Sequence, residues 1–120
     1  MKLITTIVLI IASFQLYSQD TISTKQVNQY IGKAVVLKGK IVNIKDYTTQ
    51  KGNKMIFLDI DEKYPNNLIS IAIYEEVVAQ IQPEIHTFLN RNILITGTIT
   101  MYRQIPSIEL RKSDFIKLTD

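Results

Sequence analysis

The sequence predicts a mostly β domain, a barrel of five strands with one helix between the third and fourth strands. Residues 30–44 return in similar form as residues 88–102, and several further segments alternate apolar with polar residues. Each copy of the repeat contains an alternating β-branched run broken by one glycine, Gly39 or Gly97. A glycine inside a strand marks a bend, a bulge or a close backbone approach. Two such strands therefore favour a sheet that coils sharply into a barrel.

Three strands are predicted in the first half of the domain. Strand one covers residues 35–47, and a turn rich in polar residues at 48–53 leads to strand two at residues 55–61. Residues 64–67 break strand two, and strand three covers residues 68–74. Successive side chains of a strand point to opposite faces. The residues predicted to face inward are therefore Val35, Leu37, Gly39, Ile41, Ile56, Leu58, Ile60, Ile69, Ile71 and Ile73.

The second half begins with a change of period. Apolar residues recur at three- and four-residue intervals over residues 75–89, which predicts an amphipathic helix, and Pro83 should kink it or split it. Strand four is predicted over residues 92–102 and strand five over residues 107–111, and residues 113–118 close the domain. Their inward set is Ile93, Ile95, Gly97, Ile99, Ile108 and Leu110. The order β-β-β-α-β-β, with kinked strands one and four paired, predicts a five-stranded OB-fold Greek-key barrel. An open α+β sheet is the alternative, and it would not need matching glycines.

The first eighteen residues have the order of a secretory signal peptide. Met1-Lys2 is basic, residues 3–14 are mostly apolar and uncharged, and a short polar stretch ends at Ser18. The apolar run is shorter than the roughly 20 residues that span a bilayer. We therefore predict cleavage after Ser18 and export to the periplasm or beyond, without stable membrane insertion; an uncleaved anchor is the alternative. Residues 19–29 are predicted as a lead-in segment and residues 30–120 as the OB-fold domain.

Two stretches carry a resemblance to a known family. The first has the pattern Tyr30-Ile31-Gly32-Lys33-x-Val35-x-Leu37-x-Gly39-x-Ile41, followed by Ile56-Phe57-Leu58 and Tyr64-Pro65. The second has alternating isoleucines from Ile93 to Ile99, then Tyr102, Pro106, Ile108 and Leu110. The chain resembles small exported bacterial OB-fold proteins, related to the anticodon-binding type of OB domain and usually described as nucleic-acid binders. It departs from their pattern at Asn90, where glycine is expected, and in a longer turn without glycine before the last strand.

Basic residues are unevenly distributed. The whole chain carries a formal net charge of +3, which is too mild to indicate nucleic-acid binding by itself. Six lysines lie between Lys33 and Lys54 against one acid, Asp46, whereas six acids lie between Asp59 and Glu84 against one lysine. Two solvated surfaces of a soluble protein would account for this distribution equally well.

A binding surface is predicted from the barrel's geometry. OB barrels bind across strands two and three and the loops beside them. On this chain that surface would comprise Lys45, Tyr47, Lys51, Lys54, Phe57, Tyr74, Tyr102 and Arg103. Aromatic rings can stack on unpaired bases while lysines neutralise phosphates, so we expect a module for single-stranded nucleic acid or another anionic polymer. The alternatives are a cell-envelope protein- or oligosaccharide-binding module and, for Phe57, packing beneath the N-terminal segment or a loop.

Catalysis and metal binding have little support. The chain lacks cysteine, and its one histidine, His86, has no apparent nucleophile or orienting partner. The segment Asp59-Ile60-Asp61-Glu62 could offer oxygen ligands, but the residues after it do not match a calcium loop. An OB-barrel nuclease would need a carboxylate-held metal beside paired arginines, and no such group is clear. We therefore predict no enzymatic activity, no cofactor and no metal.

Overall fold

The computed structural model describes residues 19–120, so the predicted signal peptide lies outside the described residues. Within this part the strands are β1 (Asp20–Ser23), β2 (Ala34–Thr48), β3 (Lys54–Ile60), β4 (Ser70–Tyr74), β5 (Asn92–Thr98), β6 (Thr100–Tyr102), β7 (Ile105–Leu110) and β8 (Ile116–Leu118). One short helix, α1 (Glu75–Val78), accompanies 3₁₀ helices at Thr24–Tyr30, Ile85–Phe88 and Ser113–Phe115. Over residues 19–120, no helix combines the length and apolarity that crossing a membrane requires.

The strands curl into a barrel. Their order is β6-β7-β4-β3-β2-β5-β8, and β1 pairs in parallel with the first half of β2. Only Ile99 separates β5 from β6, and β5 also contacts β7. The β6–β7 end of this order therefore lies beside β5, near its other end. β4 and β7 pair in parallel and close the circuit. The prediction of a mostly β, OB-type barrel is confirmed.

The structure departs from the predicted elements in three places. β1 and β8 are additional strands, and predicted strand four is divided at Ile99 into β5 and β6. The segment predicted as a helix that Pro83 kinks or splits is indeed split, and it holds only α1 and the 3₁₀ helix Ile85–Phe88. These two pieces lie on either side of Pro83, which has no backbone N–H to donate and cannot continue a helix from the preceding turn.

The barrel interior is filled mainly by isoleucine. Every apolar side chain predicted to face inward is buried, from Val35 in β2 to Leu110 in β7. The short helical segments add Val27, Ile85 and Phe88 to the same cluster. Branched side chains suit a pleated, half-buried surface, and here they supply the core without an aromatic residue on any inward strand position.

The internal repeat forms the β2–β5 pair. Val35 lies opposite Gly97, Leu37 opposite Ile95, and Gly39 opposite Ile93. Since each residue of the first copy matches the residue 58 positions later, a local two-fold axis through the Leu37–Ile95 pair exchanges the copies. The repeat therefore records two equivalent strands of one antiparallel ladder.

The same two-fold relation holds where each copy begins. The amide of Gly32 donates to the carbonyl of Ile99 at 2.7 Å, and the amide of Asn90 donates to the carbonyl of Ile41 at 2.7 Å. Gly32 and Asn90 both have positive φ, +83° and +65°. Asparagine tolerates this left-handed conformation better than most residues. Asn90 can therefore replace the expected glycine without loss of the turn.

Gly39 and Gly97 admit side chains from neighbouring strands. A Cβ on Gly39 would overlap Cγ2 of Ile60 in β3, and a Cβ on Gly97 would lie 2.5 Å from Cγ2 of Ile108 in β7. Both isoleucines are fully buried, so neither can move into solvent. The glycines thus mark close approaches, which allow β3 to cross β2 and β7 to cross β5.

Gly39→Ala and Gly97→Ala should each lower the free energy of unfolding by about 1–3 kcal/mol, because the added methyl overpacks a filled core. Chemical denaturation measures this difference. Lys38→Ala, at the exposed neighbouring position of β2, is the control and should stay within about 0.5 kcal/mol. Equal stability of all three variants would contradict the close-approach explanation.

Candidate functional site

A β-bulge in β2 decides which of its side chains face outward. The register between β2 and β3 shifts by one residue between Ile41 and Asn43. Before the bulge Ile41 is buried, and after it Ile44 packs against the core while Lys45 and Tyr47 are exposed. A bulge re-aims the side chains that follow it. Without it, Lys45 and Tyr47 would share the inward parity of Ile41.

Cross-strand pairing arranges the outer face in rows. Lys45 lies opposite Phe57, Phe57 opposite Ala72, and Ala72 opposite Glu109. The next row towards the β2–β3 turn contains Tyr47, Met55 and Tyr74. The outer surface of β2, β3, β4 and β7 therefore presents an apolar and aromatic centre with charged side chains at both edges.

A groove of about 920 Å³ runs over this surface. It is bounded by the β2–β3 turn at residues 49–53 and by the turn that joins β6 to β7. Seven of the eight predicted site residues line it, namely Lys45, Tyr47, Lys51, Phe57, Tyr74, Tyr102 and Arg103. Lys54 does not line it: this residue lies beside a separate depression of about 380 Å³ with Asp46 and His86.

Aromatic side chains occupy the groove floor and rim. Phe57 is partly buried, and its ring centroid lies 5.9 Å from that of Tyr47, with 60° between the planes. Tyr47 is 45% exposed, Tyr74 40% and Tyr102 55%. The N-terminal strand β1 pairs with residues 35–38 of β2 and so lies away from Phe57, which pairs opposite Lys45. Phe57 therefore lines the groove, and β1 pairs with a different part of β2.

The groove lining is basic. It contains Lys45, Lys51, Arg103 and Arg111 and one acid, Glu109. The Arg103 guanidinium lies 5.3 Å from the centre of the Tyr102 ring. The exposed lysines of the first half of β2, such as Lys38, are not among the lining residues. The tertiary structure thus places only part of the lysine-rich stretch in the groove. A cleft lined mainly by positive charge attracts anions.

The turn between β6 and β7 positions Arg103. Arg103 and Gln104 both have positive φ, +50° and +68°, and Tyr102 lies opposite Ile105. Two central residues with positive φ correspond to a type I′ hairpin turn, which matches the twist of the flanking strands. The turn that departs from the family pattern is therefore a tight hairpin built without glycine.

Several groove residues were not predicted from the sequence. Glu109 and Arg111 enter because β7 pairs in parallel with β4, and the Nη2 atom of Arg111 lies 2.9 Å from Oε2 of Glu109. Phe115 joins them from the last 3₁₀ helix. The alternation of strand five, with Ile108 and Leu110 inward, already implied that Glu109 and Arg111 face outward.

The acidic segment at the end of β3 has a structural role. Asp59 is buried and accepts hydrogen bonds from Asn43 Nδ2 at 3.2 Å and from the Tyr64 amide at 3.1 Å. Asp61 accepts from the Lys40 amide at 2.9 Å and from the Thr24 hydroxyl at 2.8 Å. These bonds fasten the following loop and the first 3₁₀ helix to the barrel. Over residues 19–120, no three metal-ligating side chains form a group that could hold an ion.

His86 joins the 3₁₀ helix after Pro83 to β2. Its Nδ1 atom pairs with the Glu84 carboxylate, and its Nε2 atom lies 3.3 Å from Oδ1 of Asp46. The hydrogen bond to Glu84, with a smaller contribution from Asp46, raises the pKa of His86 above its ordinary value. The same bond lowers the pKa of Glu84. This exposed cluster lies outside the basic groove.

Comparisons with known proteins concern the fold. No family model matches the sequence, and no curated protein matches it. Solved structures do. A chain in the crystal structure of yeast Stn1 and Ten1 superposes with a TM-score of 0.62 at 8% identity, over 87% of this chain and 64% of that chain. The protein has an OB fold.

A second similar structure is bacterial. It is a lipoprotein of Klebsiella pneumoniae whose name describes it as a candidate nucleic acid-binding protein, with a TM-score of 0.50 and 15% identity over 88% of this chain and 96% of that one. The N-terminal domain of PriB from Thermoanaerobacter tencongensis is 16% identical over 72% of this chain and 96% of its own, with a TM-score of 0.48. At 15% identity, the likeness to the Klebsiella lipoprotein is one of fold alone.

His86 should titrate above its ordinary pKa of about 6.5. Because folding raises this pKa, the ion pairs contribute fully below about pH 6.5 for as long as Glu84 remains ionised, and this contribution is lost as the pH rises through the folded-state pKa of His86. An NMR titration of the ring protons measures it. Glu84→Gln should lower the pKa of His86 more than Asp46→Asn; an unchanged pKa in both variants would contradict the contacts.

Proposed function

We propose that this protein is a non-catalytic module that binds single-stranded nucleic acid in the basic groove. The observation that carries the proposal is the meeting of an aromatic pair, Phe57 and Tyr47, with basic side chains from separate parts of the chain. Lys45 lies directly opposite Phe57 across the β2–β3 ladder. A base stacked on the ring would therefore place its phosphate within reach of a cation.

The energetics suit this ligand. Stacking on an aromatic side chain contributes about 1–3 kcal/mol per base, and it depends little on base identity. Each phosphate neutralised by a basic side chain releases counterions and makes the affinity depend on salt. The exposed tyrosines at the groove rim, Tyr74 and Tyr102, offer further stacking surfaces. OB barrels cover about 4–16 nucleotides, so a ten-nucleotide strand is a suitable probe.

Export is part of the proposal. The order of charge and apolarity in residues 1–18 supports a cleaved signal peptide and a periplasmic or secreted protein. The similar Klebsiella structure is that of a lipoprotein whose name describes it as a candidate nucleic acid-binding protein, and this description is compatible with a nucleic-acid ligand for the barrel.

A second candidate is a cell-envelope module that binds an oligosaccharide or a protein. The observation that favours it is the set of exposed tyrosines that line the groove, since OB barrels also bind oligosaccharides and aromatic rings can pack against sugar faces. Affinity for an uncharged glycan would depend little on salt, because no phosphate counterions are released. Salt dependence therefore separates the two candidates.

The proposal is tested by fluorescence anisotropy with the purified protein and a labelled strand of ten deoxythymidines (dT10), at two salt concentrations. Phe57→Ala should weaken binding about fivefold or more, because one stacked base is lost. Lys51→Ala should reduce the slope of log affinity against log salt by about 0.7, the value for one phosphate contact on a single strand.

Two exposed residues away from the groove serve as controls. Tyr64→Ala removes an aromatic ring that is 70% exposed, and Lys38→Ala removes an outward lysine of β2. Both should leave the affinity for dT10 nearly unchanged. Undetectable binding at low salt would refute the nucleic-acid proposal, and salt-independent binding to a glycan in place of dT10 would support the envelope module.

A further inference from the structure

Glu109 is the one carboxylate among the residues that line the basic groove. It lies on β7, in the same cross-strand row as Phe57, with Ala72 of β4 between them. Its side chain is 39% exposed. A carboxylate repels phosphate. If Glu109 contacts a nucleic acid in this groove, we therefore expect the contact to be with a base and not with the backbone.

The position of Glu109 suits the edge of a base. Neighbouring strands lie about 4.8 Å apart, so the backbones at Phe57 and Glu109 are separated by roughly 10 Å. Ala72 has a short side chain and leaves the space between them open. A base stacked on Phe57 and extending over Ala72 would direct its hydrogen-bonding edge towards Glu109, while the sugar–phosphate backbone follows Lys45 and Lys51 on the β2 side.

Glu109 keeps an acceptor for such a contact. Arg111 approaches Oε2 through Nη2 at 2.9 Å, and the Glu109 side chain is 39% exposed, so its carboxylate remains accessible to a ligand. An ionised carboxylate only accepts hydrogen bonds. Cytosine presents an N4 amino donor, and Glu accepting from that group is a known base contact, whereas uracil presents the O4 acceptor at the equivalent position.

We propose that Glu109 selects bases with an exocyclic amino group, so that the groove binds cytosine-containing strands more tightly than uracil-containing ones. This proposal rests on the proposed function and adds a base preference to it. Stacking on Phe57 accepts any base, and the Glu109 carboxylate then favours an edge that donates and disfavours an edge that accepts. The same carboxylate keeps phosphates away from the β7 side.

The test compares the affinities for strands of ten deoxycytidines (dC10) and ten deoxyuridines (dU10). They are measured by fluorescence anisotropy at one salt concentration and about pH 8, where cytosine is neutral. The two strands differ only at the hydrogen-bonding edge of the base. The wild-type protein should bind dC10 about fivefold more tightly or better, the low end of the discrimination that a base-edge contact provides. Glu109→Gln should bring the ratio of the two affinities close to one, since an amide can donate to O4 as well as accept from N4.

Two variants serve as matched controls. Glu76→Gln removes the same charge from an exposed position on α1, outside the groove, and should keep the wild-type ratio. Lys38→Ala removes an outward lysine of β2 that does not line the groove and should also keep the ratio. Circular dichroism of each variant confirms that the barrel is folded.

The outcomes separate the base preference from the proposed function. Equal, salt-sensitive binding of dC10 and dU10 to the wild-type protein would overturn the role of Glu109 and leave the nucleic-acid module intact. A preference for dC10 that persists in Glu109→Gln would also overturn it. Failure of both strands to bind at low salt would refute the base preference together with the proposed function.

Discussion

The close approach of strands at Gly39 and Gly97 is the constraint on which the rest of this structure depends. At each glycine an isoleucine from the adjoining strand, Ile60 or Ile108, occupies the volume that any larger residue's Cβ would need. The sheet can therefore coil tightly enough for β7 to pair with β4 and for β5 to contact β7. Because the two glycines are related by the local two-fold axis of the β2–β5 ladder, the same glycine–isoleucine packing occurs at both positions.

Closure of the barrel creates the groove, and the bulge in β2 supplies its side chains. The first half of β2 directs Val35, Leu37 and Ile41 into the core, whereas the second half directs Lys45 and Tyr47 to the outer face. A single strand thus contributes both to stability and to the candidate site. The bulge lies directly after the point where the strand changes partners, since residues 34–40 pair with β5 and pairing with β3 begins at Ile41.

The charge of the groove is also a product of tertiary structure. Its cations come from β2, from both turns and from the residue after β7, while outward lysines such as Lys38 are absent from its lining. Asp59 at the end of β3 and Asp61 just after it are occupied in hydrogen bonds that hold a loop and the N-terminal 3₁₀ helix. The lining is therefore more basic than the mild net charge of the chain would indicate, with Glu109 as the exception.

The sequence by itself determined where the five principal strands lie and which apolar residues they bury, because alternation within a strand is a local property that needs no knowledge of partners. It also indicated seven of the residues that line the groove. Only the tertiary structure decided that β1 and β8 form, since short edge strands depend on the neighbours they pair with. Register and parallel pairing likewise placed Glu109 and Arg111 in the groove and left Lys54 outside it. These choices arise from contacts between residues far apart in the chain, which a local pattern does not contain.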